Sequence, residues 1–339
     1  MVKKTNWLIT GGCGFIGTSL IRRLVEEKGH NIRVIDNLTT GKRIDLDAIC
    51  NYTETDPLNR SFDFTIDTSD NNDISVELVV GDILDEGLAL AVAKDADVIV
   101  HLAANTGVGP SVEDPRSDCY ANVIGTLNYL EAARFNKVKR FVFASSGAPA
   151  GEVEPPIHEE LPPHPVSPYG ASKLAGEGYC SAYARSYGVE TVALRFGNVY
   201  GPGSVHKNSV VAKFIHCALE GKSLEIYGDG SQTRDFIYID DLVEAILHAA
   251  KVPEIGGETF QIATSTETTV GEMTEQLVRS LVKLGFEGIH IVNAENRVGD
   301  VKRNYSDTTK AKKVLGWQPA TILEEGLVKT IEYFLNRKK

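Results

Sequence analysis

Tyr169 and Lys173 stand four positions apart in SPYGASK, residues 167–173. On an α-helix such a pair shares one face, with about 5–6 Å between Cβ atoms, so the ammonium can act on the phenol. A phenol titrates near pH 10, and to work as a base near neutrality its anion must be stabilised by about 3 units, or ~4 kcal/mol. A neighbouring cation has the correct sign. The same spacing arises by chance in many helices, so the pair needs further support. Ser145 and Ser146 close the strand-like run VKRFVFASS just upstream, at the carboxyl edge of a sheet, where open α/β folds bind ligands. A hydroxyl there can bridge a substrate oxygen and the phenol, or merely cap the next turn.

A second group of residues suits a dinucleotide. Gly11, Gly14 and Gly17 follow the first strand and open a helix in ITGGCGFIG. Glycines there let the chain turn tightly, let a pyrophosphate approach the backbone and aim helix N–H groups at the anion. The spacing is GxxGxxG, so context has to carry the reading. Asp36 ends the run RVID about 20 residues on, where a carboxylate accepts from an adenosine ribose and repels a 2′-phosphate. That favours NAD over NADP, although Lys42 and Arg43 follow closely. Asp82, in VVGDI, suits an adenine amino group or a helix N-cap. Ala103 and Ala104, in HLAAN, would let a cofactor lie against the backbone.

The elements that position these residues alternate. Strand-like NWLIT, NIRVID, VELVVGD, DVIVHLAA, VKRFVFASS and ETVALRFGN are separated by amphipathic segments, one of them predicted as a helix over 168–187. The pattern predicts an α/β chain: a Rossmann-type, doubly wound parallel sheet with a smaller α/β C-terminal substrate domain. The expected division is 1–197 for the NAD-binding domain, with 237–264 returning to it, and 198–236 plus 265–339 for the substrate domain. One stretch breaks the rhythm. Between Arg43 and Ser75 eight acidic residues face one basic residue, Arg60, which reads as a surface insertion between the second and third strands.

Bulk properties exclude several classes. The chain has 339 residues, 42% hydrophobic and 24% charged, and no apolar run near the roughly 18–20 residues that span a bilayer. The N-terminus runs straight into a strand without a leader-like segment, so a soluble, cytoplasmic protein is expected. A net charge of −11 disfavours nucleic acid and anionic lipid. The five cysteines are scattered, without CxxC, so they read as reduced thiols; neither disulfides nor a metal site is suggested.

TGGCGFIG, Asp36, ASSG and YGASK together resemble the extended short-chain dehydrogenase/reductase superfamily, in its nucleotide-sugar epimerase/dehydratase branch. YANVIGT, RFGNVYGPG, YGDGSQTRDFIYIDDLVEAI, RVGDVKRNYSD and LGWQP agree, so the match spans nearly the whole chain apart from 44–75. The resemblance implies a UDP-hexose 4-epimerase-like enzyme. Tyr169 would take the proton of the sugar 4-hydroxyl, Lys173 would bind the nicotinamide ribose and lower the phenol's pKa, and Ser146 would hydrogen-bond the reacting oxygen. Asn122 would lie nearby and support the helix of Tyr169. Around NAD it implies Gly11, Gly14, Phe15, Ile16, Gly17, Asp36, Asn37, Asp82, Ile83, Ala103, Ala104, Asn122, Ser145, Tyr169 and Lys173. For the nucleotide diphosphate it implies Asn198, Arg234 and Arg297, with Asp300 fixing its own loop. It also implies a homodimer built on helices 115–135 and 168–187.

Departures narrow the reaction. Family members continue from the serines to Tyr-Gly, whereas this chain reads SSGAPAG, with Ala150 in place of the aromatic. Dehydratases of the family carry Asp-Glu where Gly147 and Ala148 stand here, and neither of these can move a proton. C4 epimerisation is therefore the leading expectation, with a dehydratase or 4-ketoreductase as the alternative and a non-catalytic dinucleotide sensor as a remote third. Asn304 falls at the position that limits room beside the sugar C2 substituent and would admit an N-acetyl group. Tyr305, one residue on, would close that space, and uronates stay open as substrates.

Overall fold

The computed structural model describes residues 4–58, 62, 64, 75–207, 209–295 and 301–337. Its first half runs β1 (Thr5–Thr10), α1 (Phe15–Glu27), β2 (His30–Asp36), α2 (Arg43–Asp47), β3 (Thr53–Thr55), β4 (Ser75–Val80), α3 (Glu86–Val92), β5 (Val98–His101), α4 (Val108–Glu113), α5 (Pro115–Cys119), α6 (Gly125–Phe135), β6 (Arg140–Ser146), α7 (Pro168–Tyr187) and β7 (Thr191–Phe196). The remainder runs β8 (Asn198–Tyr200), α8 (Val210–Leu219), β9 (Leu224–Tyr227), β10 (Thr233–Arg234), β11 (Phe236–Tyr238), α9 (Ile239–Lys251), β12 (Glu258–Ile262), β13 (Thr268–Thr269), α10 (Val270–Lys283), β14 (Ile291–Ala294) and α11 (Leu323–Arg337). Among the described residues no helix is long and apolar enough to cross a membrane.

Eight strands form one sheet in the order β12-β7-β6-β5-β1-β2-β4-β3. Pairings of β1 with β2 and β5, of β4 with β2 and β3, and of β5 with β6 are all parallel. Successive residues Trp7, Leu8 and Ile9 are all buried. Since neighbours on a strand point to opposite faces, both faces are covered, which is what continuous apolar strands require. The fold is the doubly wound Rossmann type. Its order reverses at β1, which has β2 on one side and β5 on the other, so the switch point lies where Thr10 pairs with His101.

The described residues of the 44–75 stretch do more than form a surface loop. Thr53–Thr55 adds an edge strand parallel to β4, and Phe62 is buried. The guanidinium of buried Arg33 lies 4.0 Å from the ring centroid of Phe64 and 5.3 Å from that of Phe62, so an internal cation anchors the insertion.

The chain forms two compact units, Met1–Gly151 with Pro162–Arg195 and Ile246–Phe260, and Glu152–Leu161 with Phe196–Ala245 and Gln261–Lys339. The second has short two-stranded pairings, β8 with β11 and β9 with β14 parallel, β10 with β13 antiparallel. Its α10 shows how sequence makes the element: Thr269 and Glu272 form a reciprocal capping box, and Val270, Met273, Leu277 and Leu281 recur on one buried face.

Candidate active site

At the switch point, Gly11 adopts φ +68°, and a Cβ there would lie 2.8 Å from Ala103 N; one at Gly17 would lie 2.5 Å from Gly12 Cα. The chain's own packing therefore demands these two glycines. Gly14 differs: a Cβ would meet only Gly11 O, at 3.2 Å, so its open side is space for something other than protein. Gly14 caps α1 with no side-chain bond, which leaves the first-turn amides of Phe15, Ile16 and Gly17 without helical acceptors. Such a helix start suits an anionic group such as a pyrophosphate.

Beside it, buried Asp36 accepts from Cys13 N (3.0 Å) and Leu38 N (2.8 Å). Burial pushes its pKa up while those two bonds oppose the rise. Each carboxylate oxygen keeps a lone pair for a ribose hydroxyl. Asn37 Nδ2 donates to Asp82 Oδ2 (3.0 Å), and Asp82 Oδ1 takes Leu84 N (2.9 Å). The cap of α3 is Asp85, which accepts from Leu88 N, so Asp82 is not the helix N-cap. Ile83 is buried, and Ala103, partly exposed like Ala104, donates its N–H to Thr10 Oγ1. This set fits NAD.

The catalytic candidates lie on β6 and α7. Ser167 caps α7 by accepting from Gly170 N, Pro168 occupies the first turn and left-handed Gly188 ends the helix. A Cβ at Gly176 would lie 2.4 Å from the Phe143 ring, so glycine lets α7 press onto β6. Lys173 is thereby buried, donating Nζ to Ala144 O at 2.8 Å. Burial pulls its pKa down to about 8, against Asp118 and Glu177, which favour the charge. Tyr169 is pushed above its ordinary value, first by burial; a hydrogen bond with Ser146 opposes this and Asp118 adds to it. The expected depression of the phenol by Lys173 is not the balance found here. The Nζ lies 6.0 Å from the phenol ring centroid and is committed to a carbonyl, so burial of the ring outweighs it.

Adjacent serines take opposite roles. Ser146 meets Tyr169 and also accepts from Ala148 N (3.2 Å) in the turn Ala148–Ala150. Ser145 points inward and donates to Glu177 Oε1 at 2.5 Å. That places it inside the sheet–helix packing rather than at the ligand edge. Ala150 is buried in the turn, so SSGAPAG closes compactly without the aromatic.

Asn122 sits in a π-helical turn, Tyr120–Ile124, between α5 and α6. Its Oδ1 accepts from Asn105 N, and its Nδ2 lies within bonding distance of Asn105 O, Asp118 Oδ1 and Ser172 Oγ. Below it, buried His101 bridges Thr10 Oγ1 (2.9 Å) and Thr126 Oγ1 (3.2 Å), and Thr126 donates to Asn122 O. With Thr126 donating onward, Nε2 is assigned the ring proton. Burial drives the imidazole pKa down to about 3, so His101 is a neutral spacer under the site. Sequence reasoning missed His101, Asp118 and the pair Glu177–Arg195. The spacing of Asp118 four residues before Asn122 was the available signal.

In the second unit Asn198 opens β8, and its N–H donates to Asp235 O, next to Arg234. Arg234 Nη1 donates to Thr233 O and Val301 O. Buried Asp235 accepts from Thr264 N, Thr264 Oγ1 and Ser306 N, tying three segments together. Asn304 N donates to Thr233 Oγ1, and Tyr305 O accepts from Ile157 N. Arg297 and Asp300 lie outside the described residues.

Residues 7–263 match the model of the NAD dependent epimerase/dehydratase family. The UDP-glucose 4-epimerase of Mycolicibacterium smegmatis is 36% identical over 337 residues, 98% of this chain and 99% of that protein. The crystal structure of UDP-glucose 4-epimerase with UDP-glucose from Thermotoga maritima matches at TM-score 0.85 and 35% identity, over 99% of this chain and 100% of that one. UDP-glucuronic acid 4-epimerase from Bacillus cereus, in complex with UDP-glucuronic acid and NAD, matches at TM-score 0.84 and 27% identity, over 98% and 100%.

Proposed function

This chain belongs to the NAD dependent epimerase/dehydratase family, and from that premise we propose that it is an NAD-dependent epimerase acting at C4 of a nucleotide-diphosphate sugar, a UDP-hexose, UDP-N-acetylhexosamine or UDP-uronate. The observation that carries this reading is the Ser146–Tyr169–Lys173 group at the end of β6 and the start of α7. The glycine turn with Asp36 and Asn37 would hold NAD, which would supply a reversible hydride acceptor for the sugar C4. Tyr169 accepts the 4-hydroxyl proton and later gives it back. Ser146 holds the same oxygen through its hydroxyl, and Lys173, charged below about pH 8, supplies the positive charge that favours phenolate. Gly147 and Ala148 offer no acid or base for loss of water, which supports epimerisation over dehydration.

The first unit would hold the cofactor and the second the nucleotide diphosphate, with Asn198, Arg234 and Arg297 as its contacts; planar guanidinium groups suit phosphate oxygens. Free cysteines fit a reducing cytoplasm. The half-exposed apolar side chains Tyr120, Ile124, Tyr179 and Tyr187 along α5–α6 and α7 suit a homodimer, which light scattering would test by mass. For the reaction, the protein is incubated with NAD and each of UDP-glucose, UDP-N-acetylglucosamine and UDP-glucuronate, and the sugar ring is followed by NMR. Appearance of the C4 epimer of one of them is expected, and a 4-keto-6-deoxy product would overturn the assignment.

A further inference from the structure

Asp118 has no part in the roles assigned so far. It lies on α5, is 1% exposed, and uses one carboxylate oxygen, Oδ1, to accept from Asn122 Nδ2 at 3.0 Å. Its Oδ2 is buried without a hydrogen-bond partner. Burying a carboxylate with one oxygen unused is costly unless a nearby charge compensates it. The compensating charge is on α7, which packs against α5: the carboxylate acts on both Lys173 and Tyr169. It is also tied to them through bonds, since Asn122 Nδ2 reaches Ser172 Oγ and Ser172 donates to Tyr169 O.

The other groups around the pair are few. On α7 itself they are Glu177 and Cys180; from β5 comes neutral His101; from β6 come Ser146 and the Ala144 carbonyl. Glu113 of α4 and Arg116 of α5 are exposed to solvent. Glu177 has both oxygens bonded to Arg195, so its charge is largely cancelled. Asp118 is the carboxylate with an uncommitted oxygen.

We infer that Asp118 is a positioning residue for Tyr169 and Lys173, its carboxylate serving as the buried counter-ion that sets the pH window in which the pair works. This deepens the epimerase reading and rests on it. The sign follows from charge alone. A nearby anion makes the ammonium harder to deprotonate and the phenolate harder to form, so its removal moves both events to lower pH.

The test is Asp118→Asn, which keeps an oxygen for Asn122, with Asp118→Glu as the charge-conserving control. Lysines are labelled with ¹³C at Cε, and the resonance of Lys173 is assigned by its loss in Lys173→Met. The Lys173 titration, near pH 8 in the parent, is expected to fall by about one unit in Asp118→Asn and to stay in place in Asp118→Glu. The acid and alkaline limbs of the kcat/KM profile should both move to lower pH. An unmoved titration with uniformly lower activity would overturn the inference. So would failure of Asp118→Asn to fold together with a displaced titration in Asp118→Glu. The titration needs no substrate, so it can be read even if none of the sugars is epimerised.

Discussion

One helix face carries two buried charges that are treated in opposite ways. A turn apart on α7, Glu177 and Lys173 are both nearly inaccessible to water. Glu177 accepts from Arg195 Nε (2.8 Å) and Nη2 (2.7 Å) and from Ser145 (2.5 Å), so both its oxygens are used. Lys173 has a single carbonyl bond, and Asp118, whose charge acts on it, has an idle oxygen. Glu177, with both oxygens bonded, holds β6, α7 and β7 together. Lys173 instead has its pKa pulled by burial to about 8, close to the range that proton transfer near neutrality requires.

The comparison breaks first at Tyr169. Tyr169→Phe removes the proton acceptor while leaving the ring in place, so kcat should fall by about 10²–10⁴-fold with an unchanged melting midpoint. A loss of stability instead of turnover would put the phenol on the structural side. The opposite pattern is expected at Arg195. Arg195→Met leaves Glu177 buried with only Ser145, a loss of about 3–5 kcal/mol in denaturant unfolding, and the double change Glu177→Met/Arg195→Met should recover much of it.

Proton linkage sharpens the contrast. Burial lowers the Lys173 pKa from its ordinary value to about 8, so the ammonium loses its charge as pH rises through 8, well before an exposed lysine would. If that charge supports catalysis, kcat/KM declines above about pH 8. Because the folded-state pKa lies below the unfolded one, burying Lys173 costs stability at neutral pH, and the cost shrinks as pH rises above 8. Alkaline conditions should therefore suppress turnover while relieving the stability cost of burying this group. An activity plateau to pH 10 would remove Lys173 from the mechanism.

The elements of this face were largely legible in sequence because their signals are local. Helix 168–187 announces itself by Ser167, Pro168 and Gly188, the glycine turn by its spacing, and the strands by unbroken apolar runs. What could not be read depends on tertiary placement. Asp118 belongs to a polar run, DPRSD, that resembles any solvated turn, and only the packing of α5 on α7 buries it. Thr53–Thr55 lacks the apolar alternation of a strand and exists by pairing with β4. Four-residue spacing also says nothing of which carbonyl the ammonium satisfies, here that of Ala144.

The smallest effect tests the finest distinction, between Ser145 and Ser146. On a strand these must point to opposite faces, but at the end of VKRFVFASS both flanks are buried or polar enough that the pattern does not say which serine faces inward. The structure turns Ser145 to Glu177 and Ser146 to Tyr169. Ser145→Ala should cost about 1–2 kcal/mol of stability, the loss of one bond to a buried carboxylate, and leave kcat nearly unchanged, because Arg195 still satisfies both oxygens. Ser146→Ala should leave the melting midpoint in place and lower kcat by about 10²-fold, as for loss of one donor at a reacting oxygen. Urea unfolding and steady-state kinetics on the two variants separate the cases. If Ser145→Ala lost turnover without stability, the Ser145–Glu177–Arg195 cluster would be part of the reaction and the division along α7 would fail.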